Sequence, residues 1–324
     1  MENQTIKITG TCEYFANEDK ARELLEKLRW PNGVVCPHCK EAGAYKIQAK
    51  ADSKSGARKG LWKCKNSACY GQFTVQVGTI FEDSRIPLNK WLKAIYMICS
   101  GKKGVSALQM QRDLELGSYK SAWFMMHRIR HAMAENTLGL QLSGIVEADE
   151  TYIGGKAKNM HAKERKEKIQ GRGAVGKAPV VTLVERDGRV KSTHLETVTG
   201  ENLKTVLRKY VAPDANLMTD ESPVYNKMAG DVVATRESVN HSQDEYVRGA
   251  VHVNSAESVH ALLKRGIVGI YHHVSTTHLH RYLNEFDFRF NARKVTDSER
   301  TLKAIAGIEG KRLTYKEPIG RNKQ

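Results

Sequence analysis

The chain is expected to fold as an α/β protein in three parts: a small cysteine-stapled ribbon, a helical region and an α/β core. Three observations predict this. Two close cysteine pairs, Cys36-Pro37-His38-Cys39 and Cys64-Lys65-Asn66-Ser67-Ala68-Cys69, bracket a short polar stretch. Apolar residues recur at helical spacing over residues 88–135. From about Gly144, short β-rich runs alternate with helical segments. The 324 residues leave room for two or three domains, and 40% hydrophobic content is that of a globular protein. The changes of pattern place boundaries at 1–85 for the ribbon with a leading helix, 86–138 for the helical region, 139–300 for the core and 301–324 for a basic tail.

Lys and Arg total 52 against 36 Asp and Glu, a formal net charge of +16. Such an excess favours a polyanionic partner, of which nucleic acid is the commonest. A merely soluble basic protein is the bland alternative. No stretch approaches 18 consecutive apolar residues, so no membrane span is expected. The N-terminus, Met1-Glu2-Asn3-Gln4-Thr5, lacks the basic and apolar regions of a signal peptide. A cytoplasmic protein is therefore expected, in which disulfides are disfavoured.

The elements follow in order. Residues 17–29 carry Ala21, Leu24, Leu25 and Leu28 on one helical face. Cys36, Cys39, Cys64 and Cys69, with strand-like 44–47 and 61–63 between the pairs, give the plan of a zinc ribbon. Four thiolates from two knuckles close a tetrahedral Zn²⁺ site, and the metal supplies folding energy that so small a core cannot. Cys99 lies in an apolar run and reads as core. Pro87 opens a helix over 88–100, which Gly101-Lys102-Lys103-Gly104 ends. Ser106 caps a second helix, Leu116-Gly117-Ser118 turns the chain, and a third helix spans about 119–135. Its apolar stripe is Ala122, Met125, Met126, Ile129 and Met133, while Trp123, His127 and Arg130 fall on another face near Lys120. Two helices around a Gly-containing turn look like a helix-turn-helix, so Lys120, His127 and Arg130 are candidate DNA contacts. A plain helical connector is the alternative.

In the core, strand-like runs at 144–152, 179–185, 190–198, 216–219 and 232–235 combine with helices at 201–211, 254–266 and 277–293. Three antiparallel strands followed by parallel strands and helices is the order of an RNase H-like fold. That order puts Asp149 on the central first strand and Asp220 at the end of the neighbouring fourth. Glu257 opens the 254–266 helix, on one stripe with Asn254 and Lys264. Three converging carboxylates suit Mg²⁺ or Mn²⁺, two of which, roughly 4 Å apart, can clamp a phosphate. Glu147 and Glu150 flank Asp149 and, by strand alternation, are expected on the opposite face from it. The basic segment 156–177, including Lys163, Arg165 and Lys166, reads as a loop available to phosphates. His272, His273, His278 and His280 read as packing around the last helices.

Several motifs together carry a resemblance over nearly the whole chain. They are Trp30-Pro31-Asn32-Gly33-Val34-Val35-Cys36-Pro37-His38-Cys39, Gly78-Thr79-Ile80-Phe81-Glu82-Asp83-Ser84, Asp149-Glu150-Thr151-Tyr152-Ile153-Gly154-Gly155-Lys156, Thr219-Asp220, Leu263-Lys264-Arg265-Gly266-Ile267 and Tyr271-His272-His273-Val274-Ser275. With these the chain resembles bacterial insertion-sequence transposases that join an N-terminal zinc ribbon to a DDE catalytic core, the ISXO2-like, IS1595-type group. The resemblance implies cutting at element ends and strand transfer into target DNA. It implies Asp149 and Asp220 as ligands of catalytic Mg²⁺ or Mn²⁺. The family's third position is Asn or Glu, which leaves Asn254 and Glu257 open. Glu257 is preferred as the better Mg²⁺ ligand, with Lys264 in reach of a phosphate. A homo-oligomer holding two inverted-repeat ends at the nucleoid is implied as well. An RNase H-like nuclease or resolvase without strand transfer stays open, as does a non-catalytic zinc-ribbon regulator.

Overall fold

The computed structural model describes residues 6–47, 59–134, 141–155, 161–163 and 176–319. The chain forms two compact units, one of Met1–Met133 with Val295–Gln324 and one of Ala134–Lys294. Among the described residues no helix is long and apolar enough to cross a membrane.

In the first unit, a short α1 (Glu13–Ala16) leads into α2 (Glu18–Arg29). The Asn17 side chain caps α2 by accepting from the backbone N–H groups of Asp19 and Lys20. Ala21, Leu24 and Leu25 form its buried stripe, as the spacing predicts. The ribbon is a three-stranded antiparallel sheet of β1 (Ala44–Lys46), β2 (Trp62–Cys64) and β3 (Gln72–Phe73) in that order. Its inner face places Trp62 and Phe73 edge-on against Trp30, with ring centroids 6.0 and 5.9 Å apart. Three helices follow, α3 (Leu88–Ser100), α4 (Ala107–Asp113) and α5 (Tyr119–Met133). Ser106 caps α4 by accepting from Gln109 N, as expected.

The C-terminal segment departs from the expectation of a basic tail. Residues Asp297–Ala306 form α9, opened by a capping box between Thr296 and Glu299, with Thr301, Ala304 and Ile305 buried. The chain then returns over α5. Lys311 Nζ donates to Ala132 O at 3.0 Å, and Tyr315 meets Phe124 edge-on at 5.2 Å. At Gly307 a Cβ would stand 2.4 Å from Ala132 O, so this close approach requires glycine.

This return changes the reading of α5. His127 and Arg130 are 0% and 1% exposed, and Arg128 reaches inward to Glu82 O and lies over the Trp91 and Phe124 rings. The helix-turn-helix layout is present, but two of its three expected DNA contacts, His127 and Arg130, lie inside the unit. Only Lys120, at the start of α5, is exposed. Helical spacing grouped these residues on a second face of α5; it could not show that His127 and Arg130 would be buried.

The second unit is a five-stranded sheet in the order β6-β5-β4-β7-β8. β4 (Ile145–Ile153) is central. It pairs antiparallel with β5 (Ala178–Glu185), which pairs antiparallel with β6 (Val190–His194). On its other side β4 runs parallel to β7 (Asn216–Thr219), itself parallel to β8 (Thr235–Ser238). Helix α6 (Gly200–Tyr210) covers one face, packing Leu203 and Leu207 with Val146 and Ala148. Helices α7 (Asn254–Gly266) and α8 (Thr276–Asn291) cover the other, packing Leu263, Leu279 and Leu283 with Ile153 and Val180. The order is that of an RNase H-like core. β7 and β8 are joined through a 3₁₀ turn, Pro223–Tyr225.

Candidate metal centres

The first centre is built by the two knuckles of the ribbon. Cys36 N donates to Glu41 O and Lys40 N to Cys36 O, which folds the first pair into a tight turn. In the second, Cys69 N and Tyr70 N both donate to Asn66 O, and Cys64 N donates to Gly71 O. The four sulfurs lie within 4.8 Å of one another. Cys36 Sγ stands 3.8 Å from Cys69 Sγ, and Cys39 Sγ stands 3.6 Å from Cys64 Sγ. A tetrahedron with Zn–S bonds of about 2.3 Å has edges of about 3.8 Å, so the donor set and its size fit Zn²⁺. Burial works to raise the Cys36 thiol, but hydrogen bonds from the backbone N–H groups of Cys39 and His38 and from the Cys39 and Cys69 side chains together outweigh it and hold the thiol at about 7.

The second centre follows from strand register. β4 and β7 run parallel with Glu147 opposite Met218, so two residues further Asp149 comes beside Asp220. β7 ends at Thr219, so beyond that point β4 has no strand neighbour on this side. Carboxylates from both faces of β4 can therefore meet there. Carboxylate oxygens of Asp149, Glu150 and Asp220 lie within 4.8 Å of one another, all three side chains partly buried. Three hard oxygen donors are the set that Mg²⁺ and Mn²⁺ prefer.

Each carboxylate is held by neighbours. Asp149 Oδ1 accepts from Glu150 N at 2.8 Å, and its Oδ2 lies 3.3 Å from His260 Nδ1 on α7. Asp220 Oδ1 accepts from Ser222 N, while Arg236 from β8 donates to Asp220 O and to Thr219 Oγ1. Glu150 accepts from the Tyr225 hydroxyl. Burial is the main cause that pushes the Glu150 carboxyl up to about 7; the Tyr225 hydrogen bond opposes it, and the charges of Asp220 and Asp149 reinforce it. Tyr225 is driven well above the ordinary tyrosine range, by burial first and by the Glu150 charge second, so its hydroxyl stays a donor.

Glu147 has a different task. It is 0% exposed. Its carboxylate accepts from Ser255 N, Ala256 N and Ser255 Oγ at 2.7, 3.2 and 3.1 Å. Arg186 donates to it from Nε and Nη2 at 3.1 and 2.9 Å. The residue at the N-cap of α7 is Val253, which has no side-chain acceptor to offer. Glu147 supplies the cap from the sheet instead, where the positive end of the helix favours a carboxylate. The same Arg186 holds Ala250 O and His252 O in the segment leading into α7.

Against expectation, then, Glu147 shares a face with Asp149, because residues two apart on a strand point the same way. Glu150, expected to point away, joins the acidic group around the strand end. Asn254, Glu257 and Lys264 are all exposed on α7. Glu257 lies one turn before His260, and its carboxylate is not in the group formed by Asp149, Glu150 and Asp220. Lys163 is exposed; Arg165 and Lys166 lie outside the described residues. His260 and Tyr225 were missed. His260 offered a signal, standing between Glu257 and Lys264 at intervals of three and four. Tyr225 offered none, because its place depends on the 3₁₀ turn.

Comparison with known proteins covers both centres. The ISXO2-like transposase domain matches residues 141–291, and the transposase zinc-ribbon domain matches residues 16–72. An uncharacterized protein in transposable element ISH50 of Halobacterium salinarum is 31% identical over 287 residues, which are 85% of this chain and 91% of that protein.

Two outcomes follow from the geometry. Glu147→Ala strands Arg186 and the first amides of α7, and should destabilise the second unit by about 3–5 kcal/mol in chemical denaturation. A change below about 1 kcal/mol would contradict the cap. For Glu150, the folded carboxyl sits above its ordinary 4.5, at about 7. Its contribution to stability is therefore full below 4.5 and is lost as pH rises through about 7. Without added divalent cation, wild type should lose stability relative to Glu150→Gln across that window. A difference between the two proteins that stays flat with pH would show that Glu150 titrates normally.

Proposed function

The chain belongs to the ISXO2-like, zinc-ribbon transposases, and from that premise we propose that it cuts DNA at the ends of an insertion sequence and transfers the strands into target DNA. The observation that carries the proposal is the convergence of Asp149, Glu150 and Asp220 where β7 ends beside β4. Asp149 and Asp220 would hold catalytic Mg²⁺ or Mn²⁺, with Glu150 in the same group and Glu257 or Asn254 of α7 as the further ligand. When bound, such ions lower the pKa of an attacking water or 3′-hydroxyl and stabilise the leaving oxygen.

The protein's own residues do the positioning. His260 and the Glu150 amide orient Asp149, and Ser222 N orients Asp220. Tyr225 turns Glu150 toward the other two carboxylates. Glu147 sets where α7 begins, and so where Asn254, Glu257 and Lys264 are presented to solvent. Lys264, two turns beyond Glu257 and exposed, would meet a phosphate of the DNA. Lys120 and Lys163 are exposed cations for backbone contact, and the net charge of +16 makes such binding salt-dependent. Joining two ends requires both to be held at once, which supports a homo-oligomer working at the nucleoid.

Asp149→Asn and Asp220→Asn should each lower end cleavage and strand joining in Mg²⁺ by about 1,000-fold or more, since the bound ion contributes several kcal/mol to the transition state. Gel-shift affinity for the ends should hardly change, because neither residue belongs to a basic surface. Normal joining by either variant would refute the assignment.

A further inference from the structure

The ribbon has an exposed face that takes no part in the zinc site. Strand pairing sets its composition. Tyr45 on β1 lies opposite Lys63 on β2, and Lys63 lies opposite Gln72 on β3. Directly paired residues point to the same side, so these three form one row across the sheet. The alternate residues Trp62 and Phe73 face inward onto Trp30. The row is therefore the outward one, and Tyr45 is 46% exposed.

A second aromatic joins it. Tyr70 is 57% exposed, and Lys63 Nζ sits 5.4 Å over its ring. Tyr70 follows Cys69 at the turn of the second knuckle with φ +45°, in the left-handed region; Lys40 holds the matching place after Cys39, with φ +65°. Glycine or asparagine would relieve this conformation, which costs a bulky residue about 1–2 kcal/mol. The knuckle accounts for the backbone. It does not account for a large ring carried there and left in solvent.

Charge points to the class of partner. Over residues 33–47 and 59–73 the ribbon carries Lys40, Lys46, Lys59, Lys63 and Lys65 against Glu41 alone. Lys46 pairs with Glu26 and Lys59 with Asp19. Among the described residues Lys40, Lys63 and Lys65 have no carboxylate partner. Two exposed rings with ammonium groups between and beside them match the chemistry of a strand whose bases are splayed open: rings for base faces, cations for phosphates. A duplex offers its phosphates but hides the faces of its bases.

We propose that the outward face of the ribbon, through Tyr45, Tyr70 and Lys63, binds unpaired nucleotides of DNA by stacking. The proposal rests on the DNA-cutting function above, which exposes such nucleotides wherever a strand has been opened. The test uses the zinc-loaded full chain and fluorescence anisotropy, comparing a blunt duplex with the same duplex carrying a single-stranded thymidine extension. The extension should tighten binding. Tyr45→Ala and Tyr70→Ala should each remove about 5-fold or more of that gain. Tyr45→Phe and Tyr70→Phe should keep it, and zinc content and blunt-duplex affinity should not move in any of the four. The proposal is overturned if the extension adds nothing while blunt duplex still binds. It is equally overturned if the alanine variants match wild type, if the phenylalanine variants lose as much as alanine, or if affinity falls alike on both DNAs. Binding of neither DNA would bring down the proposed function along with it.

Discussion

The buried carboxylate of Glu147 is the interaction on which the second unit depends. A wholly buried charge is tolerated only when its neighbours satisfy it, and here they belong to two segments: Arg186 after β5, and the start of α7 with its first amides and the Ser255 hydroxyl. One side chain on the central strand thereby ties that strand to the start of a helix more than a hundred residues later. Asp149 lies two residues further along the same strand and meets the same helix again at His260. Between them these contacts set both the position and the rotation of α7. The exposed stripe of Asn254, Glu257 and Lys264 is a consequence.

The acidic group depends on a second constraint, the length of β7. Had that strand continued, its side chains would have kept the two faces of β4 apart. It stops at Thr219, and the chain leaves through Asp220 into the 3₁₀ turn that carries Tyr225. The strand end lets Glu150 come round from the α6 side, and Tyr225 holds it there. A buried carboxyl beside two others is the arrangement that resists ionisation, which is why Glu150 is pushed up to about 7.

Much of this could be read in the sequence. The cysteine spacing named the four sulfurs that converge, and the strand order placed Asp149 and Asp220 on neighbouring strands. Period-2 alternation, properly counted, also puts Glu147 on the Asp149 face. What could not be read had non-local causes. Glu150 enters the acidic group because a neighbouring strand is short. His127 and Arg130 are buried within the first unit, and the C-terminal segment, expected as a tail, folds back over α5 as α9 and a strap. Periodicity reports which residues share a face, whereas cover by distant chain decides whether that face sees solvent.

The central claim is that strand register brings Asp149 and Asp220 together as a divalent-cation site. Anomalous diffraction from crystals soaked in Mn²⁺ tests it most directly. The account predicts a peak bound by carboxylate oxygens of both residues, and its loss in Asp149→Asn. Saturating Mn²⁺ that leaves these carboxylates without a peak, or a peak that survives unchanged in the variant, would contradict it.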